Sequence, residues 1–190
     1  MKYVSIDLET TGLNPKKDKI LSVGMVIEDT EKNTPIDELP SLHLYIVRDK
    51  IEGSVTAIDL NRDIIKSISD FNIFGIKKDG VKYILPKNIY TEIDNFLLSN
   101  SLNGRINVAG KNPNFDTSFL RKIKNGKNLL FRTRVLDPAI LYADLKLDTE
   151  LPSLQTCLNR AGISKNVSHD ALEDAKDIIK LFRTQLPWNS

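Results

Sequence analysis

Three runs of β-forming residues lie close together in the first part of the chain. Residues 2–8 and 20–27 are rich in Val, Ile and Leu, and residues 42–47 form a third such run. The first run ends at a turn-prone Thr-Thr-Gly sequence, and a polar segment joins the second run to the third. Three strands in such close succession predict an antiparallel meander.

Helical spacing of apolar residues characterises most of the remaining chain. The helices predicted from this spacing and from capping and stop residues are 54–68, 86–99, 112–124, 136–144, 152–161 and 169–186. Residues 106–109 predict a fourth core strand, and two short β-rich arms around Asp79-Gly80 predict a hairpin insertion at 71–85. This order suits one α/β domain over residues 1–190, with a mixed sheet flanked by helices.

The composition is that of one globular domain rather than a fibrous, disordered or membrane protein. The chain has 190 residues, of which 41% are hydrophobic and 27% charged. Its longest apolar stretch, residues 20–27, is far shorter than the ~20 residues that span a bilayer, and residues 2–9 lack a secretory signal pattern. Cys157 is the only cysteine and permits no internal disulfide. We therefore expect a cytoplasmic protein with no membrane partner.

Positive charge is concentrated in one stretch of a chain whose net charge is only +2. Residues 105–134 hold eight Lys or Arg residues against one acid, Asp116, and therefore carry a local charge of +7. A track for nucleic-acid phosphates is one interpretation. A solvated basic face is the alternative.

Two carboxylates stand at the end of the first predicted strand. Asp7 and Glu9 are two residues apart, so both side chains point to the same face of a strand. Paired carboxylates repel each other unless a cation neutralises them, and their hard oxygen atoms favour Mg²⁺ or Mn²⁺. A bare Asp-x-Glu could equally be a solvent-facing acidic pair. The full string over residues 7–13 is Asp-Leu-Glu-Thr-Thr-Gly-Leu. A match at six specified positions, each residue type having a usage of ~5%, arises by chance roughly once in 10⁸ starts.

This string resembles the first motif of the DEDDh (DnaQ-like) 3′–5′ exonucleases, a family of the ribonuclease H-like superfamily. The family's second motif centres on an aspartate, and the sequence Asn-Pro-Asn-Phe-Asp at 112–116 is similar to it. It departs from the family pattern at Lys111, where histidine is common, and at Pro113. The third motif is His-x4-Asp, which His169 and Asp174 match. All three motifs occur in the family's order.

The start of the last predicted helix supports the third motif. Asp170 and Glu173 have the spacing of a capping box. If Asp170 caps the helix, His169 and Asp174 face each other across its first turn. If Ser168 is the cap instead, that argument weakens.

The resemblance implies a ribonuclease H-like sheet in which parallel strands join the antiparallel first three. It implies two divalent cations, Mg²⁺ or Mn²⁺, held by Asp7, Glu9, Asp116 and Asp174, with His169 as the general base. An unperturbed imidazole titrates at ~6.5, which suits that role. The substrate-binding residues that it implies are Thr10, Thr11, Gly12, Leu13, Asn112 and Phe115. The first four could instead form only a turn, and Phe115 could be a core residue.

The expected function is a metal-dependent 3′–5′ exonuclease that releases nucleoside monophosphates from single-stranded 3′ ends, with DNA favoured. An RNA-trimming enzyme of oligoribonuclease or ribonuclease T type is the first alternative, since only the 2′-hydroxyl separates the substrates. A non-catalytic, polymerase-associated binding module is the second, and the intact carboxylate set and His169 argue against it. No tethering tail is expected after the last helix, so we predict a stand-alone enzyme. A homodimer is compatible with the sequence, and a polymerase partner has no support in it.

Overall fold

A mixed sheet forms the centre of the computed structural model, which describes residues 1–185. Its strand order is β4-β3-β2-β1-β5. The strands are β1 (Lys2–Thr10), β2 (Ile20–Asp29), β3 (Ser41–Ile46), β4 (Lys82–Ile84) and β5 (Val108–Ala109). The first three pair antiparallel, whereas β4 runs parallel to β3 and β5 parallel to β1. The predicted meander and the predicted mixed sheet are both confirmed.

Helices cover both faces of this sheet. Those of the described residues are α1 (Val55–Leu60), α2 (Arg62–Phe74), α3 (Ile89–Ser99), α4 (Pro113–Leu120), α5 (Ala139–Tyr142), α6 (Leu154–Arg160) and α7 (Ala171–Gln185). Cys157 is buried within an apolar cluster of α5, α6 and α7. No helix within residues 1–185 is long and apolar enough to cross a bilayer.

The two-residue period of β1 sends alternate side chains to opposite faces of the sheet. Val4, Ile6 and Leu8 pack into the core cluster that includes α3 and α4. Tyr3 packs against α7 on the other face, where the Ser5 hydroxyl donates a hydrogen bond to the Ala175 carbonyl at 2.8 Å. Continuing this alternation places Asp7 and Glu9 on the α7 face.

Close approach of α7 to the sheet depends on Gly24 in β2. A Cβ atom at this position would lie 2.1 Å from the carbonyl carbon and oxygen of Ala171 and 2.4 Å from the Leu172 nitrogen. Such contacts are impossible, so a side chain here would displace the first turn of α7. Because Gly24 pairs with Asp7 in register, the absent side chain lets the start of α7 lie beside the acidic end of β1.

The predicted hairpin at 71–85 is wrong. Its first arm is the last turn of α2, which ends at Gly75 with a left-handed φ of +70°. Its second arm is β4, which pairs with β3 rather than with the first arm. Aromatic β-formers misled the prediction, because Phe71 stacks on Tyr83 with ring centroids 4.6 Å apart while still helical.

Several predicted helices have different limits in the structure. The helix predicted at 54–68 is capped by Ser54 as expected, but it breaks at Asn61 into α1 and α2. The helix predicted to reach 124 ends at Leu120. Asn112 precedes that helix in a left-handed conformation (φ +52°), and its side chain makes no capping hydrogen bond. The predicted end of the last helix at 186 lies outside the described residues.

Candidate active site

Strand β1 supplies two carboxylates to the site. Asp7 and Glu9 are both partly buried, and Asp7 lies in register with Gly24 of β2 and, through it, with His43 of β3. Opposed residues of antiparallel strands share a face, so all three lie beneath the start of α7. The regular strand geometry therefore fixes the separation of Asp7 and Glu9 before any helix packs against them.

Helix α4 supplies a third carboxylate at the edge of the sheet. Asp116 lies in the first turn of α4 and is only 3% exposed. The backbone N–H of Leu8 donates a hydrogen bond to Asp116 Oδ1 at 3.0 Å, which ties the helix to β1 between Asp7 and Glu9. Burial raises the pKa of Asp116 to about 7, and the hydrogen bond from Leu8 opposes that rise.

Helix α7 supplies the fourth carboxylate and the histidine. Asp170 caps this helix, since its Oδ1 atom accepts hydrogen bonds from the N–H groups of Leu172 and Glu173 at 3.2 and 3.3 Å. The capping box is incomplete, because the Glu173 carboxylate binds lysines instead. Asp174 lies in the first turn and is buried, and Ser168 donates to its Oδ1 atom at 3.4 Å.

His169 is exposed and has a left-handed φ of +51°, directly before the capping residue. A ligand atom of His169, one of Glu9 and one of Asp174 all lie within 4.8 Å of one another. Asp170 as the cap therefore brings the imidazole and Asp174 together, as the spacing predicts. This group could hold a metal ion.

The electrostatics of the acidic groups fit a divalent cation. Burial raises the pKa of Asp7, and repulsion from Asp116, Glu9 and Asp174 raises it further. The pKa of Glu9 rises to about 8 and that of Asp174 to about 6, in both cases mainly through burial. A cluster of buried carboxylates that repel one another is stable in its charged form only with bound cations, and its oxygen donors suit Mg²⁺ or Mn²⁺.

A cavity of about 250 Å³ adjoins Glu9. This cavity is lined by α1 and by four of the predicted substrate-binding residues: Thr10, Gly12, Leu13 and Phe115. The Thr10 hydroxyl is already engaged, because it donates a hydrogen bond to the Gly12 carbonyl at 2.7 Å. Leu13 is 84% exposed, so an apolar side chain is available to a ligand there.

The remaining predicted substrate-binding residues lie outside this cavity lining. Thr11 is fully buried, and its hydroxyl accepts a hydrogen bond from the Lys19 N–H at 3.0 Å, which is a structural contact of the turn. Asn112 is exposed, and its N–H donates to Asp137 Oδ2 at 2.9 Å. The roles of these residues in substrate binding stay predictions.

Two neighbours of the site were not predicted. Asn61, at the break between α1 and α2, is buried beside Glu9, and its side chain donates to the Thr10 carbonyl at 3.3 Å. A weak signal was available, because asparagine is a poor helix former inside the predicted helix 54–68.

The second neighbour is the Lys78–Asp170 ion pair, with an N–O distance of 2.9 Å. His43 Nε2 lies 3.8 Å from the other carboxylate oxygen of Asp170. Lys78 comes from the loop between α2 and β4, so this loop contacts the residue next to His169. No local pattern could reveal a pair separated by 92 residues.

The chain is similar to exonucleases in sequence and in fold. A family model described as Exonuclease matches residues 4–59. An oligoribonuclease of Wigglesworthia glossinidia brevipalpis is 29% identical over 181 residues, which cover 92% of this chain and 86% of the relative. A PolC-type DNA polymerase III of Thermotoga petrophila is also 29% identical over 184 residues, or 95% of this chain but only 11% of the polymerase.

Solved structures share the fold at low sequence identity. E. coli Exonuclease I in complex with an oligonucleotide has a TM-score of 0.65 at 17% identity, covering 98% of this chain and 42% of that chain. The Mg²⁺- and Mn²⁺-bound form of S. pombe Pop2p has a TM-score of 0.59 at 15% identity, covering 99% and 85%. The sheet and its helices therefore have the ribonuclease H-like exonuclease fold. The chain is thus similar to exonucleases in sequence and fold, and its three motifs resemble those of the DEDDh, DnaQ-like family of 3′–5′ exonucleases.

Proposed function

We propose that the protein is a 3′–5′ exonuclease that hydrolyses the terminal phosphodiester bond of single-stranded nucleic acid with the aid of two divalent cations. The observation that carries this proposal is the convergence of β1, α4 and α7. These elements bring Asp7, Glu9, Asp116 and Asp174 to one site, with His169 at its exposed edge. We expect the cytoplasm as its compartment, on the basis of the single buried cysteine.

The four carboxylates would hold the cations. When bound, two divalent cations can activate a water molecule and stabilise both the attacking and the leaving oxygen of a phosphodiester. The protein's part is to fix the oxygen donors. Asp116 is held by the Leu8 N–H and Asp174 by the Ser168 hydroxyl, so two of the four donors have restricted orientations.

His169 would act as the general base. Its imidazole is exposed, so an attacking water can reach it, and it lies at the same edge as Glu9 and Asp174. It would take a proton from that water as the new phosphorus–oxygen bond forms, while the bond from phosphorus to the 3′-oxygen of the preceding nucleotide breaks and that oxygen gains a proton from solvent. The cavity beside Glu9 would receive the 3′-terminal nucleoside, with Leu13 and Phe115 against its base.

A short-RNA substrate is a second candidate, and one observation favours it. The oligoribonuclease relatives align over 86% or more of their own length, whereas the polymerase relatives align over 11% of theirs. DNA stays our first expectation from the sequence, and the site residues named above do not separate the two substrates.

Digestion of matched DNA and RNA oligomers tests the function. Oligomers labelled at the 5′ end should shorten one nucleotide at a time in Mg²⁺ or Mn²⁺, and EDTA should stop the reaction. Faster turnover of RNA dinucleotides than of DNA dinucleotides would favour the oligoribonuclease-like candidate. Full activity in EDTA would disprove the proposed metal-dependent mechanism.

A further inference from the structure

A second cavity, of about 580 Å³, lies beside the loop that follows β1. Its floor includes Ile20, Ile89 and Phe119, which are nearly fully buried. One acid, Asp18, lines it against six cationic residues from four segments of the chain. These cations are Lys16, Lys19, Arg48, Lys87, Lys122 and Lys124.

Within residues 1–185, the cations of this cavity have no anionic side chain in ion-pair contact. Among residues 1–185, none of the six makes an ion pair within 4.0 Å. Asp18, whose carboxylate accepts the Asn14 N–H at 2.7 Å, offsets only one of the six positive charges. The buried Arg48 Nε has no hydrogen-bond partner within the same residues. A concave surface of one charge sign concentrates counter-ions, here anions.

The cationic cavity adjoins the candidate active site through two shared elements. The loop after β1 lines the small cavity with Gly12 and Leu13 and the cationic cavity with its following residues. On α4, Phe115 lines the small cavity and Phe119 the cationic one, with ring centroids 5.0 Å apart. Lys122 follows the end of α4, six residues after Asp116.

The structure also divides the basic stretch at 105–134. Lys122 and Lys124 line the cationic cavity, whereas Arg105, Arg132 and Arg134 line a separate cavity of about 520 Å³. The two cavities share no residue. Of the positive stretch, Lys122 and Lys124 therefore line the cavity that adjoins the small cavity, whereas these three arginines do not.

We infer that the cationic cavity binds the backbone phosphates of a single strand whose 3′ end lies in the small cavity. This inference rests on the proposed function. Lysines act as flexible point charges, so they suit phosphates of any base sequence, and each bound phosphate releases counter-ions. The cavity would thus increase affinity for longer strands without reading their sequence, and a dinucleotide would be too short to use it.

A charge-matched pair of double variants tests the inference. Lys87→Ala with Lys122→Ala removes two exposed cations from different walls of the cavity. Lys127→Ala with Lys146→Ala removes two exposed cations that line neither the cationic nor the small cavity. Each variant should bind a labelled strand of about ten nucleotides in EDTA, so that turnover cannot interfere, across a range of salt concentrations.

The cavity variant should bind this strand about tenfold more weakly at low salt. Its slope of log K against log salt should fall by up to ~1.4, at ~0.7 for each phosphate that the variant no longer binds. The control should retain the wild-type slope, and all three proteins should hydrolyse a dinucleotide equally in Mg²⁺. Equal salt slopes for the two double variants would overturn the inference.

The dinucleotide assay separates this inference from the proposed function. A wild-type protein that hydrolyses no oligomer would overturn the exonuclease assignment, whatever the salt slopes show. A cavity variant that loses dinucleotide hydrolysis and strand binding in equal measure would overturn the backbone role, because the cavity would then act on the reaction itself.

Discussion

Two buried aspartates on α7 lie one turn apart and have opposite surroundings. Asp177 is fully buried, and the protein neutralises it with Lys165 and Lys180 at N–O distances of 2.9 and 2.7 Å. Asp174 lies beside Glu9 and Asp7 and raises the pKa values of both. Burial, with a smaller contribution from the charge of Asp177, raises the pKa of Asp174 itself to about 6, although Lys165 opposes that rise. The comparison separates a structural carboxylate, which has its cations built in, from the carboxylates that we propose to bind cations from solution.

Substitution of one acid from each group should give opposite results. Asp7→Asn should lower turnover by roughly 10³-fold or more, because a cation ligand is lost, while thermal unfolding in EDTA is unchanged or occurs at higher temperature. Asp177→Asn should lower the free energy of unfolding by about 3 kcal/mol, because two lysines lose their partner. The fraction of the Asp177→Asn variant that stays folded should have the same turnover as the wild-type protein. Melting curves and single-turnover rates of both variants provide the check.

A second contrast lies between the carboxylates and the group proposed to move the proton. His169→Ala should lower kcat by ~10²–10⁴-fold and leave substrate KM nearly unchanged, because the cations and the 3′-terminal cavity are retained. A variant with near-normal turnover at neutral pH would exclude His169 as the base. The comparison variant is His43→Gln, which keeps a polar side chain against the capping residue Asp170 and should lower kcat far less than His169→Ala.

The unpaired acids should also make the stability of the metal-free protein depend on pH. In the folded state the pKa values are about 8 for Glu9, 7 for Asp116 and 6 for Asp174. They are near 4 in an unfolded chain. Because folding raises these values, the folded state binds more protons, and its stability should fall as pH rises from about 5 to 8.

Thermal unfolding in EDTA across this pH range measures the effect. Saturating Mn²⁺ should remove or reverse the decline, since the cation neutralises the same carboxylates. The Asp7→Asn variant in EDTA should show a shallower decline. Flat stability in EDTA would mean that the acidic groups are neutralised within the fold, as Asp177 is.

Local patterns predicted the parts of the site that local geometry determines. The strand period places Asp7 and Glu9 on one face, and the helix cap brings His169 beside Asp174. The region 61–85 was predicted less well, because β4 pairs with β3 in parallel across a long connection and Phe71 packs as a helical residue. The role of Gly24 could not be predicted either, because the start of α7, which excludes a side chain there, lies 147 residues later in the sequence.

The smallest expected effect concerns the loop that contacts the cap of α7. Lys78 pairs with Asp170 at 2.9 Å, while Asp170 also holds the first turn of α7. Lys78→Met keeps the length of the side chain and removes the charge, and a partly exposed pair contributes about 0.2–1 kcal/mol. The cap itself remains, so kcat should fall by no more than about fivefold. KM for a dinucleotide should not change, because Lys78 lies outside the small cavity.

Lys82→Met is the matched control, since Lys82 pairs with Glu92 on α3 at 2.6 Å. Equal kcat values for the two variants would show that the loop does not help to position His169.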